Sequence, residues 1–407
     1  MNSCYICSNH ELKLILDLGK HPPPLNFLTK EEIDNNTEES FHLQLYWCKS
    51  CGLVQLGKAV DPNKMFRKYV YESGISTAFK NHLSSLAKTL VEKFNLKSED
   101  LVIDIASNDG TLLEEFKKFG IKVLGVEPSN VAEIAMKKGI PTVHEFFDEN
   151  IAKEIFQKNG NAKIITATNV LAHVEKLDSF MKGIKLLLDD SGIFVSESHY
   201  LVDLIEKLEY DTIYHEHLRY YGLRQLIQLF ENYEMEVFDA QRIDTHGGSI
   251  RIFASNNGKF PRSSSIKQLL KNEDELQLTS LETLKNFARN VQENKQKLRE
   301  LLLNIKSKKF QIAGISAPAR STTILNFCEI DSNILDFIAE KGKLKIGKFT
   351  PGTHIQVVDD KILIHNNPEY ALLLSWHLKD SIITKIRKDG YKGKIIVPLP
   401  QVQIIEP

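Results

Sequence analysis

The chain has 407 residues, 42% hydrophobic and 26% charged, which suits two or three globular domains and excludes a disordered or fibrous chain. Lys plus Arg total 52 and Asp plus Glu 53, a net charge of -1, so the general electrostatic case for nucleic acid or an anionic membrane as partner is removed. No apolar run approaches the roughly 18–20 residues of a membrane span, and Met1 to His10 has neither the basic start nor the apolar core of a signal peptide, so a cytoplasmic protein is expected.

Four of the five cysteines form two knuckles, Cys4-Tyr-Ile-Cys7 and Cys48-Lys-Ser-Cys51, and Cys328 stands alone. Two Cys-x-x-Cys pairs in a reducing compartment predict a tetrahedral zinc site, with two disulfides or unrelated thiols as alternatives. Four sulfur ligands close the metal to water and substrate, so this zinc is expected to be structural. Gly52 suits the tight turn after the second knuckle. Leu14 to Leu18 and Leu43 to Trp47 read as short strands, with Pro22-Pro23-Pro24 holding an extended segment between them. Residues 1–60 carry no Lys/Arg cluster for nucleic acid.

From about 85 to 256, strand-like and helix-like runs alternate, as in a parallel sheet with crossover helices. Leu101-Val-Ile-Asp-Ile105 leads through Ala106, Ser107, Asn108, Asp109 and Gly110 into a helix beginning at Thr111. Lys122 to Glu127 is a second strand ending in an acid. Small residues after the first strand and an acid after the second fit the nucleoside end of a doubly wound fold. The loop lacks the G-x-G-x-x-G pattern. Asp109 would repel a pyrophosphate and attract an ammonium or sulfonium, which favours S-adenosylmethionine over a dinucleotide. A plain strand–turn–helix with a polar loop is the alternative.

Lys163 to Thr168 is a further strand entering Asn169-Val-Leu-Ala-His173, and Gly192 to Glu197 is another. Their ends share the sheet edge where ligands bind. Asp211-Thr-Ile-Tyr-His-Glu-His217 is the densest polar cluster. Read as a helix, it puts Tyr214 and His217 on one face. His215 and His217 then point apart, a poor metal pair. A histidine beside an acid and a tyrosine suits a general base, and a surface histidine cluster is the alternative. Met235 to Asp239 and Ser249 to Ala254 flank His246-Gly-Gly as an antiparallel hairpin.

Residues 269–308 carry an apolar stripe of Leu281, Leu284, Val291, Leu298, Leu302 and Ile305, which predicts one long helix or two. Phe310 to Gly314 then reads as a strand entering Ile315-Ser-Ala-Pro-Ala-Arg320 and a helix through Phe327, a second nucleotide-type turn. As an NAD site it is poor, because Gly314 lacks partner glycines. As an anion site around Ser316 and the helix N-terminus it is reasonable, with Arg320 able to fork onto a diphosphate. The loop from Thr350 to His354 is a candidate for the same cleft.

The two knuckles, Asp104-Ile-Ala-Ser-Asn-Asp-Gly-Thr-Leu-Leu113, Gly125-Val-Glu-Pro-Ser129, Asn169 to His173, Ile213 to His217, His246-Gly-Gly-Ser249 and Thr350-Pro-Gly-Thr-His-Ile355 run in one order along the chain. In that order they resemble the sugar C-methyltransferases. The resemblance implies an α/β protein in three parts: a zinc module (1–70), a class I S-adenosylmethionine methyltransferase with a Rossmann-like doubly wound sheet (71–265), and a helical linker with a second Rossmann-like domain (266–407). It implies structural Zn2+ on Cys4, Cys7, Cys48 and Cys51. It implies S-adenosylmethionine on residues 106–110, Glu127, Pro128 and Asn169. The substrate implied is a nucleotide-linked keto-deoxysugar, methylated on the carbon next to its ketone by an enzyme of deoxysugar biosynthesis; a monomer is expected, with the oligomeric state left open by the sequence. By position, His217 matches the family's base, and Tyr214, Glu216, Tyr71 and His173 match its other site residues. Ser316, Arg320 and His354 fall to substrate binding. Ala106 replaces a common glycine and Arg320 a usual lysine. The alanine is expected to be tolerated if its turn needs no positive φ. An O- or N-methyltransferase, and a non-catalytic zinc-ribbon interaction protein, are the competing functions.

Overall fold

The structure, a computed structural model, describes residues 3–67 and 72–407. Tyr71 lies outside the described residues. Among those described, no helix is long and apolar enough to cross a membrane.

The N-terminal sheet begins with Leu12–His21 and Phe41–Cys48, paired antiparallel. Alternation sets its inner face: Leu16, Leu18, Leu43 and Leu45 are buried. Val54–Leu56 is the third strand. The fourth is Arg219–Tyr220, which comes from beyond the middle of the chain and pairs Val54 with Tyr220. The zinc module is therefore hydrogen-bonded to the methyltransferase region, a pairing that no local pattern announces.

The central sheet has seven strands, in spatial order Met235–Ile243, Ser249–Asn256, Leu188–His199, Ala162–Thr168, Leu101–Ile105, Lys122–Val126 and Thr142–Val143. Ser249–Asn256 alone runs antiparallel to its neighbours; the other adjacent pairs are parallel. The predicted strands and the His246-Gly-Gly hairpin all form. Ile103, Ile105 and Val126 are buried in it, as the near-continuous apolar runs of a two-faced sheet require. The helix Thr111–Lys118 packs Leu112, Leu113 and Phe116 inward.

The linker is two helices, Ser264–Glu275 and Leu281–Ser307, broken where Gln277 takes φ +47° and Ser280 caps the second. The apolar stripe is buried from Leu284 to Ile305. Asn294 within it accepts from the Tyr210 hydroxyl at 2.9 Å and donates to the Pro398 carbonyl at 2.9 Å. The C-terminal sheet runs Val357–Asp359, Phe337–Glu340, Ile312–Ile315, Tyr370–Leu373, Lys394–Val397 and Gln403–Ile405, with only the last strand antiparallel.

One expected element is absent. Residues 213–217 form no helix: after a short 3-10 turn at Tyr210–Thr212 the chain makes an irregular turn. The His217 N–H donates to the Tyr214 carbonyl at 3.0 Å, and this turn, not a helix face, brings the two rings together.

Candidate active site

The four knuckle sulfurs converge to within 4.8 Å of one another. Cys4 Sγ lies 3.4 Å from Cys51 Sγ, and Cys7 Sγ 3.6 Å from Cys48 Sγ. A zinc tetrahedron with Zn–S near 2.3 Å has edges of about 3.8 Å, so the donor set fits the ion. All five cysteines are free thiols. Gly52, at φ +75°, closes the second knuckle by donating to the Cys48 carbonyl at 2.9 Å.

At the sheet's carboxyl edge the loop after Leu101–Ile105 bends around the acid after Lys122–Val126. Glu127 Oε2 accepts from the Asn108 N–H at 2.8 Å, and Oε1 from the Ser129 N–H at 2.9 Å. A carboxylate has about four lone-pair sites, so two remain for a pair of ribose hydroxyls. Ser107 Oγ and Asn169 Oδ1 are buried without hydrogen-bond partners, as a cradle for a polar cofactor requires. Asn169 stands at φ +59° and its N–H donates to the Glu197 carbonyl. The Pro128 carbonyl accepts from Arg67 Nη1 at 3.1 Å.

Two expectations for this loop are corrected. Ala106 takes φ +54°, so the turn does need the left-handed region and the alanine carries a strain that glycine would not. Asp109 is already paired. It accepts from the Thr111 N–H and hydroxyl and from the Gly74 N–H, and lies 3.4 Å from Lys138 Nζ. Its charge therefore caps the helix after Gly110 and holds residues 73–75, and Lys138 offsets the pull on a sulfonium that the sequence suggested. Beneath the loop, burial raises Asp104 to about 7 despite its hydrogen bond from Thr166.

Beyond the cofactor loop lies a histidine cluster. His217 sits 4.1 Å from Tyr214, 5.0 Å from His173 and 4.5 Å from His199, ring centre to ring centre, and His199 is 6.1 Å from His246. His217 is buried; Tyr214, His173, His199, His246 and His377 are partly exposed. His217 Nδ1 lies 2.7 Å from the Thr212 carbonyl oxygen. A carbonyl only accepts, so Nδ1 carries the proton and Nε2 the lone pair. His215 points elsewhere, to the Phe41 carbonyl at 3.2 Å. Burial, then the neighbouring His173, Arg320 and His246, push His217 well below the ordinary imidazole range, against the hydrogen bond to the Thr212 carbonyl. It is thus a weaker base than an exposed histidine, and burial keeps the Tyr214 phenol protonated. Glu216 is buried in the same turn.

Unpartnered buried atoms gather here: His173 Nε2, His199 Nδ1, His246 Nε2, His377 Nδ1, Arg320 Nη1 and Asp211 Oδ1. Such a concentration in a protein interior marks a place for a polar ligand. His246 takes φ +55°, and Gly247 and Gly248 follow it where a Cβ would collide with Glu209 or Asp203. Nearby, Glu197 is buried between His82 Nε2 at 2.8 Å and Arg251 Nη2 at 2.6 Å. Burial alone would raise that carboxyl, and the two partners hold it below its ordinary value.

Sequence reasoning gave no site role to His199, Glu197, Asp211 or His377, although it placed Asp211 in the polar cluster and Glu197 at the ligand-binding edge. Glu197 ends a predicted strand and His199 lies two residues beyond it, so the sheet-edge argument could have given both a role. His377, 160 positions after His217, left no local signal. Two predicted residues lie differently from expectation. Arg320, expected to fork onto a diphosphate, is buried and faces Asp211 at 3.6 Å. His354 Nε2 is 2.9 Å from Glu38 Oε2 of the N-terminal region. Ser316, at φ +68°, occupies the left-handed turn after Ile312–Ile315, and Glu340 Oε2 accepts from the next N–H, Ala317, at 2.8 Å. That geometry repeats the Ala106–Glu127 arrangement.

Such a sheet, with its acid-bridged loop and closing antiparallel strand, defines an S-adenosylmethionine-dependent methyltransferase, and a "Methyltransferase domain" family model matches residues 79–240. A "Putative zinc binding domain" matches 4–66, and a "C-methyltransferase C-terminal domain" matches 244–400. These three matches, in this order, together with the full-length similarity that follows, support S-adenosylmethionine-dependent C-methyltransferase activity. It is 29% identical to the C-methyltransferase NovU of Streptomyces niveus, over 100% of this chain and 97% of that protein. Among solved structures, a methyltransferase from Clostridium acetobutylicum ATCC 824 is 15% identical over 44% of this chain and 92% of its own, TM-score 0.36. Magnesium protoporphyrin IX methyltransferase from Synechocystis PCC 6803 is 14% identical over 44% and 79%, TM-score 0.33.

Proposed function

We propose that this C-methyltransferase acts on a nucleotide-linked keto-deoxysugar, with His217 removing a proton from the carbon next to the ketone to leave an enolate. The observation that carries the reading is the 2.7 Å contact between His217 Nδ1 and the Thr212 carbonyl, which fixes the tautomer and leaves Nε2 basic. S-adenosylmethionine supplies an electrophilic methyl group. Glu127, Ser107 and Asn169 hold the cofactor at the sheet edge. Tyr214, protonated and 4.1 Å from His217, donates to the sugar beside the base. His173 is the rival base. It follows the neighbouring strand and its Nε2 is unpartnered, but no carbonyl fixes its tautomer among the described contacts.

Incubation with methyl-labelled cofactor and a panel of nucleotide-linked 4-keto-sugars tests the reading. Label on a sugar carbon supports it. Label on oxygen or nitrogen, or none with any keto-sugar, removes it.

A further inference from the structure

The helix Ala319–Phe327, in the region after the linker, reaches into the methyltransferase centre. Thr323 Oγ1 donates to the Ile213 carbonyl at 2.7 Å, gripping the residue before Tyr214. One turn earlier, Arg320 is 6% exposed. Its Nη2 donates to the His246 carbonyl at 2.6 Å. Trp376 flanks the guanidinium at 5.6 Å and donates from Nε1 to Asp211 Oδ2 at 2.7 Å. Nη1 stands 3.6 Å from that same oxygen, an ion pair outside hydrogen-bond range, and has no hydrogen-bond partner.

A buried guanidinium nitrogen without an acceptor is costly, more so than a neutral donor. Here it lies among the histidine nitrogens that are also unpartnered. The acceptor it awaits need bear little charge when it arrives, because Asp211 already pairs with the guanidinium at 3.6 Å and offsets its charge. A ketone oxygen meets that condition. It is neutral on binding and becomes anionic only as the neighbouring proton leaves. The charge of Arg320 also contributes to lowering His199, His217, His246 and His377. A base so weakened needs its product enolate stabilised.

We propose that Arg320 Nη1 donates to the ketone oxygen as it becomes the enolate oxygen, making Arg320 a catalytic residue delivered by the C-terminal Rossmann-like sheet to the methyltransferase site. This rests on the enolate reading above. His217 Nε2 takes the proton, the C–H pair becomes the C=C bond, and the carbonyl π pair moves to oxygen. Arg320 stays protonated throughout. When the carbon attacks the methyl group, the oxygen pair re-forms C=O and the sulfonium leaves with its bonding pair as a thioether. One guanidinium nitrogen anchors on His246 while the other faces the oxygen, a division that a lysine ammonium cannot make in one plane.

The test uses the full chain, a nucleotide-linked 4-keto-sugar deuterated next to its ketone, and washout of deuterium without cofactor. Arg320→Gln is expected to slow washout at saturating sugar by roughly 10²–10³, the worth of one oxyanion donor. Cofactor affinity and inhibition by a nucleoside diphosphate are expected to stay within threefold. Guanidinium ion added to Arg320→Ala is expected to restore part of the rate. Unchanged washout, or a raised KM with washout at saturation intact, overturns the assignment in favour of a diphosphate anchor. If Arg320→Gln loses cofactor binding through misfolding, Arg320→Lys decides: slowed washout with normal cofactor affinity supports the proposal, and a wild-type rate overturns it. Wild-type enzyme that shows no washout overturns the enolate reading itself, a failure distinct from one seen only in the variants.

Discussion

Val54 and Tyr220 are register partners across the seam between the zinc module and the methyltransferase region. The same seam has the Leu56 N–H donating to the Leu218 carbonyl at 2.9 Å, and buried Arg219 lying over the Tyr5 ring at 4.4 Å. Arg219 also donates to the Leu171 and Val174 carbonyls, on either side of His173. The module's last strand therefore holds the backbone just after His217 and the loop carrying His173. A metal without an open coordination position can still govern catalysis by this route.

The first prediction follows from that seam. Cys48→Ser, or zinc removal by a chelator, should lower the melting temperature and turnover together, because structural zinc contributes folding free energy and the seam transmits its loss. Elemental analysis should return one zinc per chain. No zinc, two disulfides, or a Cys48→Ser enzyme of normal stability and rate would contradict the account.

Glu127→Ala should weaken S-adenosylmethionine binding by about 1.5–3 kcal/mol, roughly 10- to 100-fold, as charge-assisted hydrogen bonds to the ribose are lost. The variant also frees the Asn108 and Ser129 N–H groups, so the loop should loosen as well. Calorimetric titration reads the affinity. An unchanged value would remove Glu127 from the site, and tight NAD binding would overturn the cofactor.

The ordinary value for histidine is 6.5, and burial holds His21 and His215 at about 4 in the folded protein. Both are buried at the end of the N-terminal sheet, where His21 pairs with Phe41 and His215 meets the Phe41 carbonyl. Below pH 6.5 the unfolded chain binds protons there and the folded chain does not, so stability falls as pH drops from about 6.5 towards 4. A tenfold difference in proton affinity between the folded and unfolded chain is worth about 1.4 kcal/mol. Melting curves at pH 7 and pH 5 should show the loss, and His21→Leu should reduce it. A melting temperature that is flat across this window would contradict the burial of the pair.

Much of this was legible in the sequence where the physics is local. The apolar runs ending in Ile105 and Val126, the knuckles, and the hairpin around His246 each carry their own period or turn chemistry. The 213–217 turn was misread because i, i+3 proximity is common to a helix and to a tight turn. Ala106 misled because its φ of +54° belongs to the path of the loop towards Glu127, which the residue type does not announce. The pairing of Val54 with Tyr220, and the arrival of Arg320 and Trp376 at Asp211, are tertiary events between segments more than 100 residues apart, for which one sequence offers no pattern. The nucleotide-type turn at Ser316 was legible, but not that its helix serves the other sheet's site.

The central claim is that His217 is the base, and deuterium washout without cofactor tests it most directly. In His217→Asn the amide can still donate to the Thr212 carbonyl, but no basic nitrogen remains. Washout from the carbon next to the ketone should fall by roughly 10²–10⁴ while cofactor affinity is kept, and His173→Asn should retain most of the wild-type rate. Washout that survives in His217→Asn and disappears in His173→Asn would contradict the account and move the base to the neighbouring strand.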